Sequence, residues 1–350
     1  MDKIIKSLRD FWGKTRPFRM RAAKVLKKIK YVLYLVSGWA YRLRSVLLAI
    51  PVATAAVIMA LWQIFSASCK TAAKAVPVRK YLCSPKNRVP FGKMREAIVK
   101  ADAMGCVITL SWHMRNPVTG GSSWDLSGGN VVREVLPGGA AHELYKEWTD
   151  KCIAFLKSLK DAEGNPIPVA YRPYHENTGG AFWWGALSCE PEDYISLWKW
   201  TVEYMSAGDV HNLLYAYSTD IFKSEQEYML RYPGDEWVDI MGWDAYHRPQ
   251  EWDFLEGMTR MARTVSTLAA EHGKLAALTE TGLESVHMDK WWTEYLLPSV
   301  RGYGLSWVLI WRNSQDMPDH FFAPFKGHKS EQDFRDMVSE EDILVLNDIN

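Results

Sequence analysis

Residues 166–185 read Pro-Ile-Pro-Val-Ala-Tyr-Arg-Pro-Tyr-His-Glu-Asn-Thr-Gly-Gly-Ala-Phe-Trp-Trp-Gly. The apolar run from Pro166 to Ala170 leads into Arg172, His175 and Glu176, then into glycines and three aromatics. A buried strand whose end opens into a site has this pattern, because polar residues interrupt an apolar run only where the backbone leaves the core.

Working outward, the same pattern recurs. Strands are expected at 107–113, 167–174, 212–217, 238–243, 275–280 and 304–311. Helices are expected ahead of them at 92–104, 141–160, 191–207, 224–231, 252–272 and 288–300. Six apolar strands alternating with helices indicate a parallel sheet. Polar or aromatic residues close nearly every strand, which favours the rim of a (β/α)8 TIM barrel over a doubly wound sheet with one switch point. Counted against eight strands, 107–112 takes third place, and residues 76–83 offer one further strand at most. The barrel is therefore expected to be incomplete on its N-terminal side, leaving edges at 107–112 and 304–311.

The chain has 350 residues, 48% hydrophobic and 24% charged, enough for a full core. Of its 42 basic residues, 13 fall in residues 1–44 beside only Asp2 and Asp10, so that segment carries +11 and the remainder −10. This asymmetry points to an anionic surface as partner of the first segment and gives no support to nucleic-acid binding by the body. Residues 45–69 lack charge, and Leu47 to Phe65 is almost wholly apolar, long enough to cross a bilayer. The expected organisation is a basic cytoplasmic segment (1–44), a transmembrane helix (45–66), a linker (67–88) and a catalytic domain (89–350) outside the cytoplasmic membrane. A buried core helix, or a long export signal ending at Cys69, are the alternatives for the apolar run. Cys69, Cys83, Cys106, Cys152 and Cys189 show neither metal-ligand spacing nor a disulfide framework, so no metal or cofactor is expected.

Glu176 and Glu280 end strands three βα units apart, and a barrel would bring both to one rim. Paired carboxylates serve glycoside hydrolysis, one as proton donor and one as nucleophile or base. The other reading pairs each with a neighbouring Arg or His. Arg172 lies four residues before Glu176, on the same strand face, and could hold a carboxylate ionised. His175 could orient Glu176 only if the strand end twists.

The motifs Arg172 to Glu176 with Gly179 to Gly185, Ser111-Trp112-His113 with Asn116 to Asp125, Gly242 to Tyr246, Leu278 to Gly282, and Trp311-Arg312-Asn313 together resemble glycoside hydrolase family 26. The resemblance runs from about Val89 to the C-terminus. It implies a retaining endo-β-1,4-mannanase, with a β-glucanase, a xylanase or an inactive carbohydrate-binding remnant as alternatives, and β-mannan or a related polysaccharide as partner. By this resemblance Glu176 is the general acid/base and Glu280 the nucleophile. Tyr246 hydrogen-bonds the nucleophile, and His113 and His175 lie near the cleaved sugar and the acid/base. Trp183 and Trp311 stack on sugars, and Arg312 contacts substrate.

Overall fold

A computed structural model of the chain describes residues 90–248 and 251–345. Its frame is β1 (Ile108–Ser111), β2 (Val169–Arg172), β3 (Leu213–Thr219), β4 (Ile240–Tyr246), β5 (Leu275–Gly282) and β6 (Val308–Ile310). All neighbouring pairs are parallel. The strands stand side by side in chain order, without the reversal that a doubly wound sheet requires. They form a half-barrel, and among the described residues β1 and β6 do not pair with each other. The six expected strands and their order are thus present, and the open side falls where it was expected.

The helices preceding β1 to β5 are α1 (Phe91–Ala103), α3 (His142–Lys157), α4 (Pro191–Ala207), α5 (Glu225–Met229) and α6 (Phe254–Glu271). In α6 the buried residues Phe254, Met258, Met261, Val265, Leu268 and Ala269 recur at helical spacing and face the core, and Asp253 caps the N-terminus by accepting from Glu256 N at 3.0 Å. Ahead of β6, the expected helix at 288–300 is a π-helical turn (Trp292–Leu296) followed by α7 (Leu297–Val300). Pro298 lacks the N–H that a regular helix would donate to the carbonyl of residue 294, and the wider turn accommodates that loss. Two short helices escaped the sequence pattern, α2 (Val131–Val135) and α8 (Glu331–Val338). Helix α8 earns its place through Asp333, whose Oδ2 accepts from Trp292 N at 2.9 Å and so satisfies an end of the π-helical segment.

Among the described residues no helix is long and apolar enough to cross a membrane. The span expected at 45–66, and the flanking segments 1–44 and 67–88, lie outside them.

One irregularity decides what faces the inside. Along β4 and β5, Trp243 pairs with Leu278, but the next pair is Asp244 with Glu280, so Thr279 is an extra residue on β5. A bulge of this kind re-aims side chains. Here it sets Asp244 beside Glu280. The approach is close enough that a Cβ built on Gly242 would lie 2.6 Å from Thr279 Cγ2 and 3.1 Å from Ala277 O. Gly242→Ala is expected to cost about 1–3 kcal/mol, read as a lower urea midpoint at unchanged slope. An unchanged midpoint would contradict this account of the bulge.

Candidate functional site

The site lies at the C-terminal ends of the strands and is organised by a buried cation. Arg172, the last residue of β2, donates through Nη1 to Asp244 Oδ1 at 2.7 Å and through Nη2 to Glu280 Oε1. All three side chains are almost wholly buried. Burial works against the charged guanidinium, but Asp244 and Glu280 outweigh it and hold Arg172 protonated. The sequence pattern offered Arg172 as a partner of Glu176; it pairs instead with the two acids across the sheet. The reason is geometric. Strand β2 ends at Arg172, and Tyr174 (φ 53°) and Glu176 (φ 55°) both adopt left-handed backbone, so the alternation of faces stops before Glu176.

Around this cation a hydroxyl network fixes Asp244. Thr279 Oγ1 lies 2.7 Å and Ser218 Oγ 3.1 Å from Asp244 Oδ1, and the two hydroxyls are 2.8 Å apart. Burial raises the Asp244 carboxyl above its ordinary range, with Arg172 opposing that rise. Sequence reading assigned Asp244 no function. The available signal was its period-two spacing with Gly242 and Tyr246, which puts all three on one face of β4.

Glu280 is 3% exposed. Its second oxygen, Oε2, accepts from the Tyr246 hydroxyl at 2.6 Å. Burial and then the charge of Glu280 push the Tyr246 phenol well above its usual range, so it stays a donor. A carboxylate holding a guanidinium on one oxygen and a phenol on the other is arranged as an anion.

Glu176 is only half-buried and is placed by its backbone N–H, which donates to Ser218 O at 2.9 Å. Its carboxyl is raised well above the ordinary value of 4.5, first by burial, then by the charges of Asp244, Glu280 and Asp220, with Arg172 opposing. Asp220 itself is pushed up to about 6 by burial. Burial and the surrounding acids thus both favour the protonated form of Glu176.

His113 and His175 meet edge to face with ring centres 4.7 Å apart, and both pack on Phe182. Ligand atoms of His175, Asp244 and Glu280 come within 4.8 Å of one another, but Arg172 already supplies the positive charge at both carboxylates. On the rim, Trp311 and Arg312 follow β6 and are half-buried. Asn313 Oδ1 accepts from Phe322 N and Ala323 N, both at 2.9 Å, tying down the loop behind them.

Trp183 departs from its expected place. It is fully buried, and its Nε1 donates to Met114 O at 3.0 Å, so neither ring face is open to a sugar. The exposed ring is Trp124, at 46%, packed against His113 and Phe182. Its loop is held by Asn116, whose Nδ2 donates to Asp125 O and Ser127 O at 2.9 Å each. Nothing in the sequence of residues 116–125 marks Trp124 as a site residue, because the pattern does not reveal whether the loop turns its aromatic inward or outward.

A donor-held anionic carboxylate and a proton-holding carboxyl on one rim of parallel β/α units form the kind of site that glycoside hydrolases carry. The model of glycosyl hydrolase family 26 matches residues 87–295, and the chain belongs to that family. A β-mannanase structure from Bacteroides ovatus is 41% identical, with a TM-score of 0.71, covering 73% of this chain and 75% of that one. A modular endo-β-1,4-mannanase structure from Cellulomonas fimi is 31% identical, with a TM-score of 0.70, over 76% of this chain and 61% of that one. By sequence, a mannan endo-1,4-beta-mannosidase from Bifidobacterium adolescentis is 32% identical over an alignment of 279 positions that covers 73% of this chain. The chain spans 27% and 29% of the length of two curated relatives, that enzyme and one from Caldalkalibacillus mannanilyticus.

The raised Glu176 carboxyl has a thermodynamic consequence. Above pH 4.5 the unfolded chain releases this proton while the native chain retains it, so the native state binds more protons and stability falls as pH rises toward the native pKa. Glu176→Gln removes that slope. Unfolding free energies of the two proteins should diverge in favour of the variant from about pH 4.5 upward, as read by urea titrations across pH. Parallel pH profiles would contradict the assignment.

Proposed function

We propose that the chain is a retaining endo-β-1,4-mannanase that cleaves mannan or galactomannan by double displacement. The observation that carries the reading is the opposed state of two carboxyl groups in one buried field: Glu280 held as an anion by Arg172 and Tyr246, Glu176 holding its proton. In this reading Glu280 attacks the anomeric carbon while Glu176 gives its proton to the departing glycosidic oxygen. Glu176, now a carboxylate, then takes a proton from the water that releases the sugar from Glu280. Retention implies a separation of about 5–5.5 Å between the two carboxyl groups when substrate is bound. Tyr246 orients the nucleophile. His113 and His175 shape the floor beneath the cleaved sugar, and Trp311, Arg312 and Trp124 line the rim where a polysaccharide would lie. The mannanase names borne by its relatives support the choice of sugar.

In the same reading the six strands correspond to the third to eighth of a (β/α)8 barrel. The basic segment 1–44 stays on the cytoplasmic side, 45–66 crosses the membrane, and 67–88 links it to a catalytic domain outside. The charge asymmetry and the apolar run support this arrangement.

The test is release of reducing sugar from mannan. Glu280→Ala should abolish turnover, and Glu176→Ala should lower it by about 10²–10⁴-fold while still releasing an activated aryl leaving group in the first step. Unimpaired hydrolysis by Glu280→Ala would sink the proposal. Binding to mannan without any release of reducing sugar by the unmodified chain would favour a non-catalytic carbohydrate-binding protein.

A further inference from the structure

The phenol that bonds Glu280 stands at the end of its strand. Tyr246 is the last residue of β4, it is half-buried, and beyond it the chain leaves the sheet. Its hydroxyl nonetheless lies 2.6 Å from Glu280 Oε2. Rotatable bonds separate that oxygen from the backbone, so contacts from outside β4 have to fix the ring.

Phe322 supplies such a contact. Its ring is 5% exposed and meets the Tyr246 ring with centres 5.7 Å apart and planes at 67°, a favourable edge-to-face geometry. It reaches that place over Gly282. Tyr246 and Gly282 are partners across β4 and β5, and a Cβ built on Gly282 would lie 2.5 Å from Phe322 Cδ1 and 3.2 Å from Phe322 Cβ. A larger residue there would lift the Phe322 ring off the pair. The Gly282 carbonyl accepts from His247 N at 2.9 Å, so the strand beneath Phe322 is also held from the Tyr246 side.

Phe322 is in turn fixed through its backbone. Its loop follows β6, and Asn313 Oδ1 accepts from Phe322 N and Ala323 N while Asn313 Nδ2 donates to Ala323 O, all at 2.9 Å. Phe321 O accepts from Ser285 N at 2.7 Å. Ser285 (φ 61°) holds left-handed backbone there, a strained state that the surrounding fold enforces. Four backbone groups of residues 321–323 are thus held by the loops after β5 and β6. Burial of an apolar ring needs none of this, because it is indifferent to orientation; a loop pinned at four points sets one orientation.

We propose that Phe322 is a positioning residue for the reaction: carried by the pinned loop after β6, its ring holds the Tyr246 ring where the phenol bonds Glu280. The inference rests on Glu280 being the nucleophile of the proposed function. Asn313, Phe322, Tyr246 and Glu280 then form one line of contact from the loop to the attacking carboxylate, and Asn313 acts on the site without touching substrate. Without the Phe322 ring, Tyr246 is free to turn, and Glu280 loses the donor that aims its second oxygen. The loss falls on kcat rather than on KM, because the aim of the nucleophile matters in the transition state and not in binding the polysaccharide.

The experiment is a double-mutant cycle of Phe322→Leu and Tyr246→Phe, read first as release of reducing sugar from mannan. Phe322→Leu keeps an apolar side chain in the core. It should lower kcat about tenfold with KM within about twofold, and Tyr246→Phe should lower kcat by more. The double variant should be no slower than Tyr246→Phe alone, because no phenol is left to aim. An unchanged kcat in Phe322→Leu, or losses that multiply in the double variant, would overturn the proposal, since a residue that serves only the core acts independently of the Tyr246 hydroxyl. The same cycle read by urea unfolding does not need catalysis. The midpoint change caused by Tyr246→Phe should shrink to about half or less in the Phe322→Leu background, and equal changes in both backgrounds would overturn the proposal. Failure of the unmodified protein to release reducing sugar counts instead against the mannanase reading, and the unfolding cycle then decides the role of Phe322 by itself.

Discussion

The site depends on one buried guanidinium. Arg172 has two acids within reach, Asp244 and Glu280, and a nearly dry environment. An ion pair in such a place contributes little net stability, because desolvation offsets most of the attraction, but removing one partner strands a buried charge at a cost of about 3–5 kcal/mol. What the pairing supplies is order. It holds Glu280 as an anion in a fixed orientation, and it uses up the positive charge available. Glu176, raised first by burial and then by the charges of Asp244, Glu280 and Asp220 against the opposing pull of Arg172, is biased toward its protonated form. Burial and the distribution of charge together thus push the two glutamates toward different states.

Two departures from regular backbone make that distribution possible. The bulge at Thr279 brings Asp244 level with Glu280, so that one guanidinium can span both. The left-handed residues Tyr174 and Glu176 turn the chain out of β2 immediately after Arg172, separating Glu176 from a cation only four residues away. Had the strand continued, Arg172 and Glu176 would share a face and Glu176 would be the better-neutralised acid. Strain placed next to a site is consistent with its being held there by the surrounding fold.

The strands were legible because each is an apolar run closed by polar residues, and the order of parallel β/α units followed from their alternation with helices. Glu176 and Glu280 were legible for the same reason, as acids at strand ends. Less visible were features that depend on registry between strands. Asp244 is one residue among several polar ones, and only the bulge makes it a partner of Arg172. Trp183 and Trp124 are alike in sequence, yet one is buried against Met114 O and the other exposed, a difference set by the loop that Asn116 and Asp125 hold. Short helices such as Val131–Val135 carry too few turns for a period to declare itself.

In the proposed function Glu280 is the group that bonds to the sugar. The most direct measurement is peptide mass mapping of Glu176→Ala protein after incubation with a 2-deoxy-2-fluoro-β-mannobiosyl donor bearing a good leaving group, conditions under which the first step proceeds and the second stalls. One added glycosyl unit is expected on the peptide that carries Glu280. A modification on Asp244, or release of the leaving group with direct formation of the α-anomer and no adduct, would contradict it.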